Sequence, residues 1–102
     1  MIIEVGTNGG VELGDPTTFT AFHVSGDREA AVANRDDLRR SGIELTDDCS
    51  HAWVEVDALR RLAGPAADEA WEASLAGMVQ FAESKGWTDE QGRLQAHCDW
   101  TS

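Results

Sequence analysis

Apolar and polar residues alternate along several short stretches of the chain, and this period of two predicts β-strands with one buried face. Ala52-Trp53-Val54-Glu55-Val56 is the clearest such run. Residues 18–24 and 93–100 alternate in the same way, and Ile43 and Leu45 indicate a short strand that ends at an Asp-Asp turn. The pattern therefore predicts four strands beyond residue 17.

Residues 2–13 alternate around Asn8-Gly9-Gly10, which predicts an N-terminal β-hairpin. A two-residue Asn-Gly loop would place Val5 opposite Glu12. A three-residue loop with a left-handed glycine places Val5 opposite Leu13, which keeps apolar side chains together. We therefore expect the second register.

Other stretches show helical spacing. Apolar residues at Trp71, Leu75, Met78 and Ala82 predict a long helix over about 65–85. A second helix is expected from a cap at Ser25 or Asp27 to about residue 41, and a short one over about 57–62.

The order of these elements indicates the fold class. Beyond the hairpin, the core over 18–100 reads strand, helix, strand, strand, helix, strand, within a single domain over 1–102. This order resembles the ferredoxin-like α+β sandwich, which implies an antiparallel sheet with helices on one face and here an extra N-terminal hairpin.

The charge of the chain restricts its partners. Nineteen acidic residues against eight basic ones give 102 residues a net charge of −11. Nucleic-acid and anionic-membrane binding both depend on Lys and Arg, so neither is expected. The first residues lack the basic region of a secretory signal, and we expect a cytoplasmic bacterial protein with Cys49 and Cys98 reduced.

The three histidines form the most informative cluster. If the helices cover the face that carries Val24, Val54, Leu94 and Cys98, alternation places every histidine on the opposite face. In the ferredoxin-like order, His23 and His51 would be cross-strand neighbours, with His97 on the far side of the first strand. The candidate ligand-binding residues on that face are His23, His51, Trp53, Glu55 and His97.

Two interpretations of this face remain open. Imidazoles beside a carboxylate could bind a small molecule or a metal, or transfer protons. Alternatively, Trp53 and Phe19 indicate a homodimer interface, in which the histidines are interface residues. No spacing typical of a metal site or a catalytic motif is present, so neither a metal nor a cofactor is expected.

The sequence favours a non-catalytic function. We expect a small acidic binding or accessory protein, such as an immunity-like protein, that acts through a basic protein partner. The alternative is a small dimeric enzyme or a small-molecule- or metal-binding protein that uses the histidine-bearing face.

Overall fold

The computed structural model describes residues 1–100 as an α+β fold with a six-stranded sheet. The strands are β1 (Ile2–Val5), β2 (Val11–Gly14), β3 (His23–Gly26), β4 (Ile43–Leu45), β5 (His51–Val54) and β6 (Leu94–Trp100). The helices are α1 (Arg28–Ala33), α2 (Arg35–Arg40), α3 (Val56–Ala63) and α4 (Glu69–Lys85), with a 3-10 turn at Gly64–Ala66 between α3 and α4.

The sheet is mixed, so the prediction of an antiparallel sheet was wrong. Its strand order is β2-β1-β3-β6-β5-β4. Strand β3 pairs in parallel with both β1 and β6, whereas β1–β2, β5–β6 and β4–β5 are antiparallel.

The ferredoxin-like arrangement is not confirmed, because the last strand lies inside the sheet. Strand β6 separates β3 from β5, the two strands that we expected to be neighbours. Its alternate residues Leu94, Ala96 and Cys98 are buried, because one face of the strand packs against the core. Element order along the chain does not determine such pairing.

The hairpin forms in a different register from the expected one. Val5 pairs with Val11, and Leu13 pairs with Ile3. Gly6 N–H donates to the Gly10 carbonyl at 2.7 Å, which leaves a three-residue loop with Gly9 in the left-handed conformation (φ of 85°), so the expected type of loop forms one residue earlier than predicted. The shift relative to the prediction is two residues along β2, so every side chain keeps its face and apolar residues still pair.

The helix expected over 27–41 is divided in two. Asp27 caps α1 by accepting a hydrogen bond from Glu29 N–H at 2.8 Å. Asn34, whose backbone departs from helical geometry, separates α1 from α2. The long helix α4 begins later than expected, at Glu69, because Asp68 caps it by accepting from Trp71 N–H at 2.8 Å.

One hydrophobic core joins the inner face of the sheet to the helices. Leu38 of α2, Leu59 of α3 and Leu75 of α4 are fully or almost fully buried in it, beside Val24 and Val54 of the sheet. Within residues 1–100, no helix has the length and apolarity needed to cross a membrane.

Candidate functional site

The three histidines form a row across three adjacent strands. His97 of β6 is paired with His23 of β3 on one side and with His51 of β5 on the other. Paired residues in neighbouring strands point to the same face, so all three rings lie opposite the core. The shared face agrees with the expectation, but His97 lies in the middle of the row and separates His23 from His51.

His51 and His97 contact each other directly. Their ring centroids are 5.7 Å apart and the rings meet edge to face at 73°. The His97 residue is exposed and His51 is partly buried. Two imidazoles therefore present their nitrogens within one small area of the sheet.

A cavity of about 420 Å³ opens beside this pair. This volume lies within the range of roughly 300–1,000 Å³ that is typical of small-molecule sites. The lining is largely apolar and comes from the segment before β3, the sheet, and α4 with the loop after it: Phe19, Thr20, Phe22, His51, Leu94, Gln95, His97, Met78, Phe81, Ala82 and Trp87.

Aromatic rings form one wall of the cavity. Phe81 of α4 and Trp87 meet edge to face, with centroids 5.9 Å apart, and both are about half exposed. The Lys85 ammonium lies 5.6 Å from the centroid of the Phe81 ring. Large exposed aromatic side chains that converge on a cavity are characteristic of a binding surface.

The turn between β4 and β5 orients His51. Its Nδ1 lies 3.0 Å from Ser50 Oγ, and the Ser50 hydroxyl lies 2.8 Å from Asp48 Oδ1. Hydrogen bonds from the Ser50 backbone and hydroxyl and from Thr46 lower the pKa of Asp48 to about 2, so this carboxylate is ionised at neutral pH and only accepts.

This chain of contacts selects the tautomer of His51. Because a hydroxyl has one proton, and Ser50 gives it to Asp48, the Nδ1 of neutral His51 must be the donor to Ser50 Oγ. Its Nε2 then carries a lone pair and is free to accept a hydrogen bond from a bound molecule. Asp48 and Ser50 therefore act on the site through His51.

The remaining candidates lie outside the cavity lining. His23 is in the histidine row, and Trp53 is paired with Gln95 on the same face, but neither lines the cavity. Glu55 lies beyond β5, where its backbone precedes α3 and its N–H donates to Gly42 at 2.9 Å. It is four residues from His51, about 13 Å along an extended strand.

The structure offers no ready-made metal centre. Among residues 1–100, no group of three or more His, Cys, Asp or Glu side chains is arranged to hold a metal ion. Two imidazoles beside an apolar cavity can instead exchange hydrogen bonds or a proton with a bound molecule.

Sequence reasoning did not predict that residues of α4 would line a cavity beside the histidines, and it did not predict the contact between Asp48 and Ser50. Met78 was assigned to the buried stripe of the long helix, and Phe81 lay beside that stripe. The Asp47-Asp48 pair signalled a turn but gave no sign that its carboxylate would orient a histidine.

Comparisons with known proteins add no information on function. No protein family, curated protein or solved structure shows a significant match to this chain.

Proposed function

We propose that this protein binds a small aromatic molecule that carries a hydroxyl group, in the cavity between α4 and the histidine pair. The observation that carries the proposal is the combination of an aromatic wall, Phe81 and Trp87, with a histidine, His51, whose ring is held by the contact of its Nδ1 with Ser50 Oγ at 3.0 Å. This function corresponds to the small-molecule alternative from the sequence, with binding placed at His51 and His97.

The aromatic wall favours a flat, apolar ligand. Phe81 and Trp87 are each about half exposed, so a ring placed against them would remove apolar surface of both partners from water. Aromatic rings also gain from edge-to-face or offset contacts with one another. A free phosphate would leave this surface without a complementary partner.

The histidine pair favours a donor on that ligand. Neutral His51 presents an acceptor at Nε2, and a ligand hydroxyl supplies the matching proton. A hydrogen bond of this kind contributes roughly 0.5–1.5 kcal/mol to binding, about a fivefold change in affinity at the middle of that range. The apolar contacts would supply most of the affinity, and the hydrogen bond would supply orientation.

Isothermal titration calorimetry with two probes of similar shape tests this proposal. We expect 2-naphthol, which has a donor hydroxyl, to bind about fivefold more tightly than 2-methoxynaphthalene, which has none. His51→Phe should abolish that difference, because it removes the acceptor and keeps a ring. Binding of neither probe would contradict the proposal.

Matched variants separate the cavity from the rest of the sheet. His23→Phe alters the same row of histidines but not the cavity lining, so it should bind both probes as the wild type does. Met78→Trp should weaken both probes by filling the space. Equal effects of the His23 and His51 variants would show that the pocket is not where binding occurs.

The remaining expectations on partners stay predictions. A net charge of −11 favours a basic protein partner, and the homodimer through the Trp53 side of the sheet is untested.

A further inference from the structure

Cys49 occupies an unusual position in the turn between β4 and β5. It has a left-handed backbone with φ of 60°, and only 3% of its surface is exposed, although Asp47 and Asp48 beside it are exposed. The Trp100 indole N–H donates to its carbonyl at 2.9 Å. The thiol is thus held in place just beneath an exposed turn.

A guanidinium group faces its sulfur. Arg35 Nη2 lies 3.3 Å from Cys49 Sγ. Arg35 forms none of the ion pairs found within residues 1–100, so no carboxylate neutralises its charge at this position. A positively charged neighbour favours the thiolate form of a cysteine, which is the form that reacts.

The same guanidinium has a spare donor. Arg35 Nε is buried and has no hydrogen-bond acceptor in the described part of the chain. Nε and Nη2 share one edge of the planar group, with nearly parallel N–H bonds, which is the arrangement that holds two oxygens or one bifurcated oxygen. An oxygen atom added to Sγ would give Nε the acceptor that it lacks.

A second buried cysteine, Cys98, lies on the strand beside this turn. Cys98 N–H donates to the Ser50 carbonyl at 2.9 Å, so Cys98 is opposite the residue that follows Cys49. Burial, together with the neighbouring Cys49, raises the pKa of Cys98 to about 12, which keeps it a thiol at neutral pH. The two sulfurs therefore differ in environment, and the one beside Arg35 is expected to react first.

We propose that Cys49 is an oxidation site for hydrogen peroxide, with Arg35 receiving the added oxygen and Cys98 completing a reversible disulfide. In the first step the Cys49 sulfur attacks one peroxide oxygen. An S–O bond forms and the O–O bond breaks; the sulfur loses two electrons, and the departing hydroxide takes the Cys49 proton and leaves as water. The product is a Cys49 sulfenic acid.

In the second step the Cys98 sulfur attacks Cys49. The S–S bond forms and the S–O bond breaks, and the departing hydroxide takes the Cys98 proton and leaves as water. The reaction therefore balances with one peroxide consumed and two waters released. The disulfide would form at the residue that precedes Ser50, and Ser50 contacts His51.

Intact-mass measurement after peroxide treatment tests the proposal. The folded wild type should lose two hydrogens, a thiol reductant should restore them, and peptide mapping should link Cys49 to Cys98. In Cys98→Ala, the sulfenic acid at Cys49 should accumulate and be trapped by dimedone. Modification of Cys98 alone, or a Cys49 thiol that persists under peroxide, would overturn the proposal.

Arginine variants test the role of the guanidinium. Arg35→Gln should slow the loss of the Cys49 thiol about tenfold, the size expected for a charge-assisted hydrogen bond. Arg28→Gln, an exposed arginine on the preceding helix, is the matched control and should react as the wild type does.

Arg35→Lys, which keeps the charge but not the paired donors, distinguishes chemistry from unfolding. It should fold by circular dichroism and still react more slowly. Equal rates in folded Arg35→Lys and in the Arg28 control would overturn the assignment of Arg35.

Discussion

Replacing Trp71 tests how α4 is fixed to the rest of the molecule. The Trp71 indole N–H donates to the Pro16 carbonyl at 2.7 Å, and its ring packs against Phe19 with centroids 5.9 Å apart. Only 3% of Trp71 is exposed. Through these contacts the first turn of α4 holds the segment that carries Phe19 and Phe22 into the cavity wall.

The size of the effect follows from what each variant removes. Trp71→Phe keeps an aromatic ring but leaves the Pro16 carbonyl without its donor, which costs about 1–3 kcal/mol. Trp71→Ala also removes the buried ring and should cost about 3–5 kcal/mol. For a chain of this size, about 2 kcal/mol lowers the Tm by roughly 10 °C.

Thermal and chemical unfolding measure these changes. Trp87→Phe is the matched control: its indole is about half exposed and donates to no acceptor within residues 1–100, so the free energy of unfolding should change by less than about 0.5 kcal/mol. If Trp71→Phe proves as harmless as Trp87→Phe, then α4 is not anchored through the indole, and the cavity wall loses its support.

Other predictions concern the sheet, the turn and the surface. Gly26→Ala should lower the free energy of unfolding by about 3 kcal/mol or more, because the added Cβ would lie 2.7 Å from the Val5 carbonyl oxygen and the backbone φ is 146°. If denaturant titration shows no change, the pairing of β1 with β3 is wrong. A Cβ at Gly77 of α4 would meet no atom beyond its chain neighbours and the helix backbone within 4 Å, so Gly77→Ala should raise the free energy of unfolding by about 0.5–1 kcal/mol. A decrease would contradict the open space at this position. The Asp48 carboxyl should titrate near pH 2 when its NMR signal is followed against pH. The stability that it contributes is present above its ordinary pKa of 3.8 and is lost as the pH falls through 2. A titration midpoint near pH 4 would contradict the turn geometry. A basic protein partner recovered from lysate should dissociate as salt is raised, whereas salt-independent capture would count against electrostatic steering.

Local patterns predicted much of the secondary structure, because they depend on near neighbours. Alternation indicated β6, and the helical spacing of apolar residues placed α4 to within a few residues. The hairpin and its three-residue loop were expected, but the register was not: the expected register leaves Ile3 opposite Asp15, whereas the observed one pairs Ile3 with Leu13 and Val5 with Val11. Both registers keep every side chain on its face, because they differ by two residues along β2.

Sheet order could not be deduced in the same way. The pairing of β6 with both β3 and β5 depends on long-range contacts that no local pattern records. The histidines were assigned to one face because alternation is local, whereas their order across the sheet depended on topology and was wrong. The wall from α4 and the orientation of His51 by Asp48 likewise arise only when distant segments meet.

The most direct test of the proposed site uses the indole N–H signals of the four tryptophans as internal reporters. In a ¹⁵N-correlated NMR titration with 2-naphthol, Trp87, which lines the cavity, should shift in a saturable manner. Trp53 and Trp100, which do not line it, should stay in place. Saturable shifts confined to Trp53 or Trp100, or no saturable shift at Trp87, would contradict binding between α4 and the histidine pair.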